Sequence, residues 1–96
     1  MGEVTSVCTF KRDIPGKLLR IESDATVDDG DTILVTLADY GFKTVEAVAG
    51  YAHTTTDSII VAEQPTTSVT AGVLTITVGG ATDNLKRVYL VYGDSN

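Results

Sequence analysis

Apolar and polar residues alternate with a period of two along most of this chain, and that period predicts short β-strands. Val4 to Lys11 sets Ser6, Cys8 and Phe10 on one face against Thr5, Val7 and Thr9. Leu18 to Ser23 turns Leu19 and Ile21 away from Leu18, Arg20 and Glu22, and Thr32 to Ala38 aligns Ile33, Val35 and Leu37. Between Lys43 and His53, Val45, Ala47, Ala49 and Tyr51 share one face and Val48 the other. Asp57 to Glu63 carries Ile59 and Val61, and Val73 to Val78 opposes Leu74, Ile76 and Val78 to Val73, Thr75 and Thr77. Leu85 to Tyr92 closes the series, with Val88, Leu90 and Tyr92 alternating against Tyr89 and Val91. Only Lys43 to Ala52 competes as a helix, and Gly50 with the β-branched Thr44, Val45 and Val48 argues against it.

Turn chemistry falls between these segments. Ile14-Pro15-Gly16, Asp28-Asp29-Gly30-Asp31, Asp39-Tyr40-Gly41-Phe42, Ala71-Gly72, Gly79-Gly80 and Asp83-Asn84 supply the residues that fix φ or tolerate a positive one. Turn signals every ten residues or so predict an all-β fold, a compact sandwich or small barrel of about seven or eight mostly antiparallel strands. The 96 residues make a single domain, 1–96, with a short N-terminal arm (1–3) and a C-terminal tail (94–96).

A chain of this size has a modest core and often needs a staple. The one cysteine excludes an internal disulfide, and one histidine beside one cysteine cannot build a usual zinc site. A partner surface is the remaining supplement. The formal net charge of -6, with basic residues scattered, disfavours nucleic acid and anionic lipid as partners. No apolar run reaches the length of a membrane-spanning helix, and Met1 to Ser6 lacks the basic and apolar parts of a signal peptide. Gly2 and Ser6 match the loose N-myristoylation pattern, which is too short to carry a conclusion.

Candidate chemistry is thin. His53, Asp57 and the threonines between them offer the letters of a catalytic triad, as any polar loop of this composition would. Asp24, Asp28, Asp29 and Asp31 lack the ligand register of a calcium loop and read as turn residues, with a weak cation site near Asp28–Asp31 as the alternative. Gly79-Gly80 leads into a strand, so it is not a phosphate-cradling loop. Cys8, on a predicted strand, reads as an inert thiol. No catalytic, cofactor-binding or metal residue is expected, and no cofactor. The absence of tryptophan and an aromatic fraction of 6% argue against a sugar-stacking platform.

The second half carries a resemblance. Asp39-Tyr40-Gly41-Phe42-Lys43-Thr44-Val45 leads into Gly50-Tyr51-Ala52-His53-Thr54-Thr55-Thr56. Thr75-Ile76-Thr77-Val78-Gly79-Gly80 and Lys86-Arg87-Val88-Tyr89-Leu90-Val91-Tyr92-Gly93 follow. Over residues 32–93 this resembles, in pattern and composition, the small β-rich structural proteins of tailed-bacteriophage virions, of the head decoration and cement type. That resemblance implies a non-catalytic role in the virion, assembled in the host cytoplasm, with the major capsid protein or another virion protein as partner. It also implies a homo-oligomer, with a trimer expected. A tail or neck component and a free-standing glycan- or receptor-binding sandwich are the alternatives. The segments least explained by core packing are Met1, Gly2 and Glu3 with His53, Thr54, Thr55 and Thr56, and these are the expected interface residues.

Overall fold

The computed structural model describes residues 2–80 and 82–95. Eight strands follow one another along the chain: β1 (Cys8–Ile14), β2 (Leu18–Ser23), β3 (Thr32–Thr36), β4 (Thr44–Thr55), β5 (Ile59–Ala62), β6 (Thr66–Thr70), β7 (Val73–Thr77) and β8 (Lys86–Asp94). They form two antiparallel sheets, one ordered β1-β2-β8-β4-β5 and the other β3-β7-β6. The fold is therefore an all-β sandwich of five strands against three.

The alternation read from the sequence places the core where one face of a strand is buried. Leu19 and Ile21 of β2, Ile33 and Val35 of β3, Leu74 and Ile76 of β7, and Tyr89 and Val91 of β8 are all buried. Val27, Leu37, Phe42 and Val78 fill the ends of the same cluster. Burying such side chains supplies the main drive to fold, about 1.5–3 kcal/mol each. Leu37 itself lies in a single 3-10 turn, Leu37–Tyr40, which ends at Gly41 with φ 79°. A left-handed residue there costs nothing only because glycine has no Cβ.

Three expectations need correction. The first strand begins at Cys8, not Val4, because Thr5–Val7 curls into a 3-10 turn and the Thr5 hydroxyl accepts the Leu34 N–H at 3.0 Å. In β4 the pairing with β8 slips between Val45 and Ala47, which leaves Glu46 as the extra residue of a bulge. The bulge brings Val45 to the same face as Val48, and both pack on the core, while Ala47, Ala49 and Tyr51 take the outer face. The third is β6, a strand absent from the alternation. Its Thr-Thr-Ser-Val-Thr side chains are all exposed, so no buried face imposed a period.

The two ends are also tied down. Thr32 N donates to Gly2 O at 2.8 Å and Val4 N to Thr32 O at 2.8 Å, so the arm runs along β3 in a short parallel bridge at Glu3. Gly2 N donates to Asp31 Oδ1 and Asp28 N to Asp31 Oδ2, at 3.0 and 2.8 Å. These donors, the Asp28 N–H foremost, hold the Asp31 carboxyl below its usual range. Asp94 belongs to β8 and not to a tail, since Lys43 N donates to its carbonyl at 2.7 Å.

Candidate interaction surface

The sheets differ in width, and that difference decides what is left uncovered. Three strands cannot cover five, so β5, at the end of the larger sheet, is exposed on both faces. Ile59 and Ile60 are 55% and 54% exposed, and Val61 is 38% exposed. The turn Ala62-Glu63-Gln64-Pro65 then carries the chain from one sheet to the other.

A buried polar cluster fixes that crossing. Arg87 of β8 is fully buried and its guanidinium pairs with the Glu63 carboxylate. It donates further to Gly79 O at 3.1 Å and to Thr82 O at 2.7 Å. The Thr82 hydroxyl donates to the Glu63 carboxylate at 3.1 Å. One side chain therefore ties the end of β5, the end of β7 and the 82–84 loop together. Gln64 completes the clamp from the other side: its Oε1 accepts Gly50 N at 2.7 Å and its Nε2 donates to Val48 O at 3.3 Å. In effect it extends the edge of β5 along β4 by one more rung.

The outward face of the larger sheet follows from the register. Tyr92 lies between Leu18 of β2 and Ala47 of β4, and Leu90 lies between Arg20 and Ala49. Val88 stands beside Tyr51, which stands beside Ala62. Directly opposite residues of antiparallel strands share a face, so these rows make an apolar band from the middle of the sheet to β5. At about 4.8 Å between strands and about 6.8 Å between outward positions, the band covers on the order of 300–400 Å². Patches of that size on a monomer commonly carry a function. The other end of the same face is charged. Lys11 pairs with Glu22 at 3.4 Å, and Arg20 pairs with Asp13 and Glu22 at 3.3 Å.

The expected interface residues do not come together as one site. Gly2 and Glu3 dock on β3 of the smaller sheet, and Met1 lies outside the described residues. His53 is on the β4–β5 hairpin of the larger sheet. It belongs to the strand and not to a loop, opposite Lys86 on one side and Ile60 on the other. The turn after β4 folds over its ring and buries it, and Nδ1 accepts the Asp57 N–H at 2.9 Å. Thr54, Thr55 and Thr56 are exposed, with the first two in β4. Asp57 bonds Lys86 at 2.9 Å, and that contact holds its carboxyl below the usual range.

Elsewhere, the acidic run spends its carboxylates on the backbone. Asp24 accepts Thr26 N, and Asp28 accepts Asn84 N at 2.8 Å. Among the described residues no group of three or more His, Cys, Asp or Glu side chains converges as a metal site would require. Nor is any helix among them long and apolar enough to cross a membrane.

Burial first, and the Asp24 charge second, push the Cys8 thiol up to about 11. At pH 8 its thiolate fraction should be about 100-fold below that of an unperturbed thiol. Alkylation by iodoacetamide is expected to be correspondingly slow in the folded protein and to recover in urea. An equal rate in both states would contradict the packing of β1 on the core. Burial likewise pushes Tyr89 up to about 12. An acid whose pKa is raised by folding loses protons more readily when unfolded, so stability should fall as pH rises from about 10 through about 12. A urea midpoint unchanged over that range would place the Tyr89 hydroxyl in water.

Compared with models of known protein families, with curated proteins and with solved structures, the chain matches none. What the surface offers is read from its own geometry. The signal for it in the sequence was the run Ile59-Ile60-Val61-Ala62, four apolar residues without alternation. Such a run marks a strand with two like faces, buried or bare.

Proposed function

We propose that this protein is a non-catalytic structural component of a phage virion, decorating or cementing the capsid surface as an oligomer. The observation that carries the assembly part of this reading is the apolar band on the outer face of the larger sheet, from Leu18 and Tyr92 to Tyr51 and Ala62. A sheet face that packs on nothing within its own chain suits a partner of complementary shape. The capsid part rests on the resemblance of residues 32–93 to head decoration proteins. A repeated lattice suits a small domain, because binding to the folded state stabilises it by mass action.

The absence of catalysis in this reading is supported by how the polar groups are used. The Nδ1 of His53 is engaged by a main-chain N–H, and Arg87, Glu63 and Thr82 bond one another inside the sandwich. A tail or neck component would use the same surface.

Sedimentation of the purified chain with capsids that lack it tests the proposal. Saturable binding is expected, and Tyr92→Lys should weaken it on the order of tenfold or more while the fold is kept, because Tyr92 is 41% exposed and is the large aromatic side chain at one end of the band. Absence of binding at any concentration would overturn the capsid reading.

A further inference from the structure

We propose that β5 pairs antiparallel with β5 of a second copy of this chain across a two-fold axis, joining two five-stranded sheets into one of ten strands. The inference stands apart from the capsid reading, since either can hold without the other.

Four strand edges are open to consider; two are blunted and a third is polar. Beside β3 lies the arm, with Val4 N on Thr32 O and the Thr5 hydroxyl on Leu34 N. β1 carries Lys11, Arg12 and Asp13, and charges on an edge resist pairing. β6 presents threonine and serine with a single exposed Val69. β5 has none of these devices. Ile59-Ile60-Val61-Ala62 has no charge and no proline, and it is exposed on both faces.

The hydrogen-bond register makes this edge complementary to itself. Glu63 N donates to Gly50 O at 3.0 Å, so the main-chain groups of Glu63, and by alternation of Val61, point toward β4. Those of Ile60 and Ala62 therefore point out from the sheet. Setting Val61 opposite Val61 of the second copy puts Ile60 opposite Ala62 of that copy, and the reverse. Each of the two pairs exchanges both of its N–H and C=O groups, which makes four hydrogen bonds. A two-fold axis perpendicular to the sheet keeps outer face with outer face, so the apolar bands ending at Ala62 and Ile60 become continuous. An isologous contact of this kind needs no other partner.

Charge does not oppose pairing at this edge. Copies of a chain with net charge -6 repel over most of their surface. Residues 47–62 contain one formal charge, Asp57, and it is paired with Lys86. Two copies meeting at β5 thus meet at a long stretch where repulsion is low, a property shared with the uncharged residues 64–82. The contact is small, which makes the pair a weak and concentration-dependent dimer, in place of the trimer that the resemblance suggests.

Sedimentation equilibrium of the full chain between micromolar and millimolar concentration tests this. A monomer–dimer equilibrium is expected, with Ile60→Lys shifting it at least tenfold toward monomer and Ser68→Lys, on β6, leaving it unchanged. Amide exchange on the unaltered chain gives a second readout: Ile60 and Ala62 should gain protection as concentration rises, and Val61 should not change. A monomer throughout, a trimer, or protection that ignores concentration at Ile60 and Ala62 would each overturn the pairing. Capsid binding is measured separately and by a different variant, so the failure of one proposal is told apart from the failure of the other.

Discussion

Replacing Arg87 by methionine is expected to remove about 3–5 kcal/mol of stability, the cost of leaving one member of a buried ion pair without the other. The guanidinium is fully buried and meets the Glu63 carboxylate, the Gly79 carbonyl and the Thr82 carbonyl and hydroxyl. Methionine fills much of the volume and supplies none of the donors. Four acceptors on three different segments would then be stranded in a region that water enters poorly. A domain of this size has about 5–15 kcal/mol in total, so the variant should stand near the edge of folding at 37 °C. The urea midpoint should fall sharply with little change in slope. Arg87→Met combined with Glu63→Leu should recover part of the loss, because an apolar replacement of the whole pair leaves no orphaned carboxylate. A single variant as stable as the parent would mean that Arg87 reaches water and does not clamp the crossing.

The second large effect is expected at Gly79 and Gly50, which grip the same connector from the two sheets. A Cβ on Gly79 would lie 2.2 Å from the Gln64 carbonyl oxygen. One on Gly50 would lie 2.5 Å from the Glu63 carbonyl oxygen and 2.8 Å from both Pro65 Cδ and the Tyr89 ring. Atoms of separate chain segments do not approach so closely, so the 63–65 crossing would have to move. It is held by Arg87 and by Gln64, and its movement would break those bonds as well. Gly79→Ala and Gly50→Ala are each expected to cost about 1–3 kcal/mol or more, at the upper end of overpacking penalties. Gly2→Ala is the control, since nothing lies within 4 Å of its Cβ position. Thermal unfolding of the three variants checks the expectation, and equal midpoints for all three would contradict the close approach.

These two clusters show what an alternating pattern does and does not carry. Leu19 with Ile21, Ile33 with Val35, and Leu74 with Ile76 were legible because each strand buries one face only, and burial writes a period of two. Arg87 obeys the same period on β8, in step with Tyr89 and Val91, yet a charged residue beside Lys86 reads as surface. Its partner Glu63 is 24 residues away, and nothing local announces it. The Glu46 bulge is silent for a related reason: one residue shifts the period, and only the partner strand reveals where. Strand β6 has no buried face and so no pattern at all. The polar run Thr54-Thr55-Thr56-Asp57 makes the strand end at His53 in the sequence pattern, whereas it continues through Thr55. Of the expected interface, the arm turned out to be a covering for the β3 edge. The uncovered surface lies instead on β5 and on the outer side of β4 and β8. The exposure of both faces of β5 goes with one sheet having two strands fewer than the other, a fact of tertiary packing that no single segment contains.

The most direct test of the proposal that this domain serves a phage virion through its uncovered sheet is the difference in density between particles made with and without its gene. Imaging by electron cryomicroscopy should show one small β-rich density per repeated site on the capsid surface in the first, absent from the second, with the outer face of the larger sheet turned toward a neighbour. Identical particles, or a density whose apolar band faces solvent, would contradict it.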